Sequence, residues 1–586
     1  MAVENLITEH IDIWTSTVKA KSISGRGSNK KLELYGIKKL RELIIELAIQ
    51  GKLTASLDFK GSAKKNVEDA IVAKFNLSKE RNIRGDKETY SSDRAKGFPL
   101  HWETICVGQV AHVLGGKRVP KGYKLSEQPT DFVYLRVTDM KNQSIDESDL
   151  RYISEEVFKQ ISRYTINTGD VYVTIAGTIG AVGTIPPHLD GMSLTENAAK
   201  LVFSGLSKKY LVTVLQSSFV TRQFNDAVNQ MAQPKLSLNS IKHTCIPIPP
   251  LEEQEYIADK VDELMALCDQ LEQQTEDSIE AHQVLVTTLL DTLTNSADAD
   301  ELMQNWARIS EHFDTLFTTE ESIDQLKQTI LQLAVMGKLV PQDPSDEPAA
   351  ELLKRIAEEK AQLVKEKKIK KQKALPPISE DEKPFELPSG WEWCRFGSLF
   401  KSFSNGLYKP AKFYTDAGVI SLRMYNIQDG KIDFEGAKRV EVEPNELEQF
   451  LLEKGDLLIN RVNSKELVGK TAIIPQLDEP LVYESMNMRA KPFTNYLSAE
   501  YLNLFMMTAL AQQSISSFAK EAIGQASINQ GQVSSMAIPL PTFNEQKRIV
   551  LKINELLVIC EELKARLKES QTTQLLLTDA IVEQAV

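Results

Sequence analysis

Cysteine is scarce in this sequence, with five residues among 586, and no two are spaced as a CxxC pair. An odd number of unpaired cysteines argues against a disulfide framework and against a thiolate metal site. The seven histidines also lack the spacing of metal ligands. This usage is typical of a cytosolic protein, so we expect a cytoplasmic location.

Long apolar runs are also missing. Nowhere do eighteen apolar residues follow one another, and the N-terminus, MAVENLITEHIDIW, carries acidic residues where a signal peptide would carry basic ones. We therefore expect no membrane span and no signal peptide.

Positive charge is in deficit, with a net charge of −12, but the deficit is local. Residues 251–350 contain 23 acidic and 4 basic side chains, whereas residues 96–250 contain 13 acidic and 16 basic ones. Phosphate binding needs a basic surface. The acidic middle is therefore expected to contact protein partners, while residues 96–250 could bind nucleic acid through local patches.

Motifs of catalysis are not found. The Pro-Pro pairs precede His, Leu and Ile, so none forms the (Asp/Asn/Ser)-Pro-Pro-aromatic motif of adenine methyltransferases. The sequence VGKT at 468–471 is similar to the end of a phosphate loop, but Ser464 stands where the first glycine is required. Glu-x-Lys triplets lie in charged helical segments, where ion pairs explain them. We expect no active site in this chain.

The strongest feature that is present is an internal repeat. LRELIIELAIQGKL at 40–53 aligns without a gap on LKQTILQLAVMGKL at 326–339. Further matches follow in the same order: FPLHWE with LPSGWE, YLRVTDMKNQSID with SLRMYNIQDGKID, Gly169-Asp170 with Gly455-Asp456, and IPIPPLEEQ with IPLPTFNEQ. The chain therefore contains two similar halves.

Each half reads as a helical piece, a mixed globular domain of about 150 residues and a long helix after a proline-rich turn. Short β-branched runs between glycine, proline and asparagine are typical of strands. The predicted segments are an N-terminal helical region at 1–95, a first globular domain at 96–250, a central helical spacer at 251–385, a second globular domain at 386–541 and a C-terminal helix at 542–586.

The two long helices carry a heptad pattern. Apolar residues recur at alternating steps of four and three: Ile257, Val261, Leu264, Cys268 and Leu271 in the first, and Ile549, Ile553, Leu556, Cys560, Leu563 and Leu567 in the second. A seam of this kind predicts a partner helix. We expect residues 31–53 to pack against the C-terminal helix.

The order of these pieces resembles the specificity subunits of type I restriction-modification systems over almost the whole chain. The features that carry the resemblance are the two proline turns, IPIPPLEEQ and IPLPTFNEQ, the paired GKL helices, and residues 352–393. It implies an α+β fold: two mixed α/β target-recognition domains in a pseudo-twofold repeat, joined by long antiparallel coiled-coil helices.

The resemblance also implies a function. Each domain would read one half of an asymmetric, bipartite target in double-stranded DNA, and the helices would set the gap between the halves. Two modification (methyltransferase) subunits would dock on the helices, and restriction (motor-nuclease) subunits would join them. No cofactor is expected in this chain, since S-adenosylmethionine, ATP and Mg would belong to the partner subunits.

Direct reading of bases uses Arg or Lys for guanine and Asn or Gln for adenine. The candidates in the first domain are Lys117, Arg118, Lys121, Arg136, Thr138, Lys141, Thr178 and Lys235. Those in the second are Lys409, Lys412, Arg423, Tyr425, Asn426, Arg461, Asn463, Lys465 and Asn487. A solvated or structural side chain is the alternative for each, and it is favoured for the paired Arg136 and Arg423.

Three alternatives stay open. The basic run KEKKIKKQK at 365–373 is interpreted as a solvated helix face, with contact to the DNA backbone as the alternative. The whole chain could instead be an enzyme whose active site has no familiar motif, or a coiled-coil scaffold that does not read bases.

Overall fold

The computed structural model describes residues 3–21, 31–84, 90, 97–229, 234–297, 299–522 and 524–586. It divides into two compact units, Met1–Ser278 with Ser570–Val586, and Ile279–Glu569. Among the described residues, no helix is both long enough and apolar enough to cross a membrane.

The first unit begins with helices and a small hairpin: α1 (Val3–Glu9), α2 (Ile11–Ser16), β1 (Lys19–Lys21), β2 (Lys31–Glu33), α3 (Tyr35–Ile49) and α4 (Ala63–Glu80). The first mixed domain follows with β3 (Glu103–Cys106), α5 (Val107–Val110), β4 (Ala111–Gly115), β5 (Tyr134–Leu135), β6 (Met140–Lys141), β7 (Ser144–Ile145), α6 (Glu155–Ile161), β8 (Thr165–Ile166), β9 (Val171–Thr174), β10 (Val182–Thr184), β11 (Met192–Leu194), β12 (Ala198–Phe203), α7 (Lys208–Gln216), α8 (Ser218–Asn229), α9 (Leu238–His243) and β13 (Cys245–Ile248). The long helix α10 (Leu251–Asn295) comes next.

The second unit has a corresponding helical part: α11 (Ala299–Glu311), α12 (Phe313–Leu316), α13 (Glu320–Val335) and α14 (Ala349–Lys365). Its mixed domain contains β14 (Glu392–Arg395), β15 (Phe400–Asn405), β16 (Tyr414–Thr415), β17 (Val419–Leu422), β18 (Ile427–Gln428), β19 (Lys431–Ile432), β20 (Lys438–Val440), α15 (Pro444–Phe450), β21 (Leu457–Asn460), β22 (Val462–Asn463), β23 (Thr471–Ile473), β24 (Leu481–Tyr483), β25 (Asn487–Pro492), α16 (Ala499–Met506), α17 (Ala509–Phe518), β26 (Lys520–Ala522), β27 (Gln525–Ser527), α18 (Gln530–Ser534) and β28 (Ala537–Leu540). The long helix α19 (Phe543–Ala585) follows.

The two domains share one sheet plan. The first has an antiparallel sheet of strand order β10-β9-β12-β4, and the second has β23-β21-β25-β15. Beside it, β5 pairs in parallel with β11, as β17 does with β24. A two-stranded ladder joins the first and last strands of each domain, β3 with β13 and β14 with β28. The predicted α+β class with two matching domains and long helices is confirmed.

Most residues of the predicted heptad seams are buried, and the last of each seam, Leu271 and Leu567, is partly buried. In the first unit Ile257, Val261, Leu264 and Cys268 join one hydrophobic core with α3. In the second unit the matching residues, Ile549, Ile553, Leu556, Cys560 and Leu563, join another core with α13. Burial raises the pKa of both seam thiols, Cys268 and Cys560, to about 11, so they are unreactive near neutral pH.

Helix α3 contacts both long helices within the first unit. Arg41 pairs with Glu272 of α10 at 2.6 Å, and the Tyr35 hydroxyl donates to Asp579 of α19 at 2.8 Å. The predicted packing of residues 31–53 against the C-terminal helix is therefore confirmed.

The lysine of each GKL sequence caps the C-terminal end of a long helix. Nζ of Lys52 donates to the carbonyl oxygens of Ala585 and Val586, at 2.7 and 2.8 Å. Nζ of Lys338 donates to those of Thr294 and Ser296, at 2.7 and 2.9 Å. The last carbonyls of a helix lack intrahelical donors and carry partial negative charge, so a lysine stabilises them.

The proline turns are held by the glutamine that ends IPIPPLEEQ and IPLPTFNEQ. Nε2 of Gln254 donates to the Pro249 carbonyl at 2.9 Å, while its Oε1 accepts the backbone N–H of Ser207 at 3.0 Å. Gln546 does the same with Pro541 and Ser498, at 3.1 and 2.9 Å. One side chain thus ties the turn to the start of α7 or α16.

The basic run 365–373 differs from the expectation. Helix α14 ends at Lys365, and Lys367 has a φ of +60°, which the helix cannot continue through. The residues that follow belong to no helix up to Ser379, so the helix-face interpretation is wrong. Lys367, Lys370 and Lys371 are exposed on this non-helical segment.

We predict that Gly337→Ala lowers the free energy of unfolding by about 2–4 kcal/mol. Gly337 has a φ of +71°, and a Cβ there would lie 2.4 Å from Cγ of Pro388. Gly436→Ala is the matched control, because its φ is +65° but a Cβ would meet nothing within 4 Å. It should cost only about 1 kcal/mol. Equal losses for both variants in denaturant unfolding would show that the proline contact contributes nothing.

Candidate nucleic-acid interface

Several loops of the first domain converge at one edge of its sheet. Strands β4 and β9 both end where β12 begins, since Gly115 pairs with Ala199 and Thr174 with Ala198. Strand β5 pairs in parallel with β11, so these two strands end side by side. The connection from β11 to β12 brings their ends next to the ends of β4 and β9. We call residues 116–122, 136–138, 175–179 and 195–197 the first loop edge.

The second domain has an equivalent edge. Asn405 of β15 pairs with Met488, and Asn460 of β21 pairs with Asn487, so both strands end where β25 begins. Parallel pairing of Leu422 with Tyr483 places the end of β17 there too. We call residues 406–412, 423–425, 461–468 and 484–486 the second loop edge.

The first loop of each edge starts in the same register. Backbone N–H groups of Gly116 and Gly406 donate to Ala198 and Asn487, each at 3.1 Å. A Cβ on Gly116 would lie 2.1 Å from a backbone oxygen, and one on Gly406 2.4 Å from another, so both positions require glycine. The equivalence of GKRVP with GLYKP follows from this register.

The paired arginines begin matching turns. The backbone N–H of Arg136 donates to Asp139 at 2.8 Å, and that of Arg423 donates to Asn426 at 2.9 Å. The Arg136 guanidinium forms ion pairs with Asp139, at 2.6 Å, and with Asp149. These contacts support the structural interpretation of Arg136.

Arg423 is also held within its domain. Its Nη2 donates to Glu484 at 3.0 Å, and its guanidinium lies 4.6 Å from the ring centre of Tyr414. The hydroxyl of Tyr414 donates to the same carboxylate at 3.1 Å.

The structure presents some of the predicted side chains to solvent and encloses others. Exposed are Lys117, Arg118, Lys121, Thr138, Lys141, Thr178, Lys235, Lys412, Tyr425 and Lys465. Half-buried are Arg136, Lys409, Arg423, Arg461 and Asn463. Lys235 reaches the first loop edge because the next residue, Leu236, donates its N–H to Ile175 at 2.9 Å. Lys141 lies instead on the β6–β7 hairpin and pairs with Asp146 at 2.8 Å.

Two predicted residues, Asn426 and Asn487, are fully buried. The amide of Asn426 donates to Asp433 at 2.8 Å, while that of Asn487 donates to Leu422 at 3.2 Å and accepts from Asn460 at 3.1 Å. Buried amides need such partners, so these residues hold turns together. Neither side chain is exposed in this structure.

Some of the predicted lysines are already paired with carboxylates. Lys409 pairs with Glu446 at 2.7 Å, and Lys465 pairs with Glu521 at 2.6 Å. Within the described ranges, no carboxylate is paired with Lys121 or Lys235. The exposed, unpaired lysines are the better candidates for phosphate contacts, because no internal partner must be displaced.

Each loop edge borders a cleft. The first, of 510 Å³, is lined among others by Arg118, Tyr134, Arg136, Thr138 and Glu196. The second, of 560 Å³, is lined among others by Lys409, Tyr414, Arg423, Lys438 and Arg439. Both clefts bring arginine donors and a tyrosine together, but they differ in most other side chains.

Glu196 gives the first cleft a negative group. Burial acts to raise the pKa of Glu196, but hydrogen bonds from Arg118 and Tyr134 outweigh it and keep the pKa below its ordinary value. Glu196 is therefore ionised near neutral pH. Among the described residues, no cluster of three His, Cys, Asp or Glu could hold a metal ion.

Sequence reasoning missed Tyr408, Glu196 and the exposed apolar side chains of the second loop edge. Tyr408 is 78% exposed, and Met424, Leu467 and Met486 are also exposed. The match of GKRVP with GLYKP could have identified Tyr408 as the counterpart of Arg118. Glu196 and Met486 lie in connections whose position only the sheet pairing reveals.

The fold and the loop edges define a protein with two domains of one plan, each presenting loops at equivalent strand ends. A family model, the type I restriction modification DNA specificity domain, matches the chain twice, at residues 99–281 and 388–570. The chain belongs to the specificity subunits of type I restriction-modification systems, and it has two recognition domains.

Similar proteins include the EcoAI and EcoEI specificity subunits of Escherichia coli, 39% and 37% identical over the full length of both chains. The EcoKI specificity subunit of Escherichia coli K12 is 22% identical over 83% of this chain and 89% of its own. The crystal structure of the HsdS subunit from Thermoanaerobacter tengcongensis is 19% identical, covers 83% of this chain and 97% of that one, and has a TM-score of 0.39.

Proposed function

We propose that this chain binds double-stranded DNA sequence-specifically, with each recognition domain reading one half of a bipartite target. The observation that carries the proposal is the pair of loop edges. They share a backbone register, yet their exposed side chains differ. Two domains that recognise different DNA sequences require this combination of a shared backbone and different exposed side chains.

The two half-sites should differ, which makes the target asymmetric. Arg118 of the first edge corresponds to Tyr408 of the second, and Thr138 corresponds to Tyr425. The loop that follows β9 has five residues between Thr174 and Gly180, whereas its counterpart after β21 has eight. Donors and shapes that differ at equivalent points recognise different base edges.

We also propose that two copies of a protein partner dock on the long helices, and the repeated exposed residues of these helices support this. Three apolar positions are exposed at equivalent points of the long helices: Leu267 with Ile559, Val284 with Leu576, and Leu285 with Leu577. Each unit contains one member of every pair. Apolar side chains exposed at the same points of both repeats suit an interaction surface, and the acidity of residues 251–350 disfavours DNA there.

We propose that modification (methyltransferase) subunits contact these exposed residues of the long helices, with restriction (motor-nuclease) subunits joining that core. The chain itself is proposed to be non-catalytic and to hold no cofactor. S-adenosylmethionine, ATP and Mg would act in the partner subunits. The absence of methyltransferase and phosphate-loop motifs from the sequence supports this division of labour.

Domain exchange tests the proposal. Replacing residues 96–250 with the equivalent domain of another specificity subunit should change one half-site and leave the other intact. Methylome sequencing of cells that express the chimera reports the target directly. The matched exchange of residues 386–541 should change only the other half. Changes in both halves from one exchange would contradict modular recognition.

The purified chain alone should incorporate no labelled methyl groups into DNA and should not cleave it. Addition of modification subunits should restore methylation at the target. Methyl transfer by the chain alone would instead support a self-contained enzyme. Target-independent DNA affinity of the complex would support a scaffold that does not read bases.

The long helix is proposed to set the gap between half-sites. Inserting four helix-forming residues after Glu272 lengthens α10 by about 6 Å. DNA rises about 3.4 Å per base pair, so the unread gap should grow by one to two base pairs. We expect one base pair, because α19 is not lengthened to match.

A seven-residue insertion at the same point is the matched control, since it keeps the heptad phase. It adds about 10 Å, which corresponds to at most about three base pairs, because α19 is not lengthened in this variant either. Methylome sequencing measures the gap in both variants. An unchanged gap with normal activity would show that α10 does not set the spacing.

A further inference from the structure

Arg118 is held in an unusual way at the first loop edge. Its side chain is 80% exposed, yet its Nε donates to Oε1 of Glu196 at 2.6 Å. Glu196 is only 25% exposed, and its Oε2 lies 3.2 Å from Oγ1 of Thr195 and 3.1 Å from the Tyr134 hydroxyl, which shares its proton with the Lys117 carbonyl at 2.8 Å. A well-anchored carboxylate thus orients an otherwise exposed guanidinium.

The contact through Nε leaves the outer edge of the guanidinium available. Within the part of the chain that the structure describes, the bonds of Arg118 to Glu196 use Nε and not the two terminal nitrogens. Arg136, in the same cleft, already donates from its Nη2 to Asp139 and Asp149. Of these two arginines, Arg118 is therefore the one whose terminal donors can meet a ligand side by side.

Two parallel donors match the O6 and N7 acceptors of guanine in the major groove. Building on the proposed DNA-binding function, we propose that Arg118 reads a guanine of the first half-site, and that Glu196 is its positioning residue. Because the guanidinium is oriented before binding, less side-chain entropy is lost on contact with the base.

The equivalent position of the second edge carries different chemistry. Tyr408 follows Gly406 by the same two-residue step as Arg118 follows Gly116, and it is 78% exposed. A tyrosine lacks the paired donors that recognise guanine. Its ring offers an apolar surface to a thymine methyl group, so Tyr408 is assigned a thymine in the second half-site.

Arg118 is tested with the complex of this chain and its modification subunits, on a duplex that carries the target identified by methylome sequencing. Arg118→Gln should weaken binding about 10- to 100-fold. It should also relax the requirement for one guanine in one half-site. Lys121→Gln, in the same loop, is the control and should weaken all sequences alike. A first half-site without guanine, or a uniform loss for Arg118→Gln, would overturn the assignment.

A base analogue locates the contact. Replacing the guanine with 7-deazaguanine removes the N7 acceptor. This should weaken DNA binding by the complex without substitutions about tenfold but barely affect binding by the Arg118→Gln complex. Additive losses would show that Arg118 does not touch this base. The proposed function itself fails separately, if the unmodified complex shows no preference for any bipartite target.

Glu196 is tested by rescue. Glu196→Gln keeps an oxygen acceptor for Nε and should retain discrimination for guanine, whereas Glu196→Ala should lose it about as far as Arg118→Gln does. Thermal unfolding of both variants should match that of the unmodified chain. Loss of discrimination in Glu196→Gln, or none in Glu196→Ala, would show that the carboxylate does not position Arg118.

Tyr408 is tested by removing its hydroxyl and its ring in turn. Tyr408→Phe should keep the second half-site unchanged, while Tyr408→Ala should relax one thymine of that half-site and leave the first half-site intact. Replacing that thymine with uracil, which lacks the methyl group, should weaken binding several-fold in the unmodified complex only. A second half-site that tolerates Tyr408→Ala would overturn this assignment.

Discussion

The junction of each domain with its long helix contains a buried hydrogen bond between a tryptophan of the domain and a glutamate of the helix. The indole N–H of Trp102 donates to Glu253 at 3.0 Å, and that of Trp391 donates to Glu545 at 2.8 Å. Both carboxylates lie in the first turn of a long helix and are almost fully buried. Burial raises the pKa of Glu545, so an uncompensated carboxylate there would be costly. The tryptophan thereby fixes where the domain begins relative to its own helix.

From that junction the structure separates constant from variable positions. The residues that the two halves share bond to the backbone. Lys52 and Lys338 donate to the carbonyl groups at the ends of the long helices, and Gln254 and Gln546 hold the proline turns. The variable ones lie at the ends of strands, where many side chains face solvent and packing limits their chemistry less than in the core. The proposed reading of two different sequences by one duplicated domain requires this separation.

Much of the architecture was predictable because its signals are local or repeated. The heptad steps specify a buried seam through Ile257 and Ile549, and the repeat specifies two similar domains. The site was less predictable. Asn487 and Arg136 have the residue types expected of base readers, but the structure uses them internally. Residue type alone does not distinguish a donor that faces solvent from one that holds a turn.

The sequence by itself determined the duplication, the helical scaffold, the family and the general position of the loops. Only the tertiary structure decided which loops meet at one edge, that Tyr408 is exposed where Arg118 is, and that Glu196 orients Arg118. The physical reason is that these relations depend on strand pairing and on hydrogen bonds between residues far apart in the chain. Helix periodicity repeats within a few residues, whereas such contacts leave no local pattern.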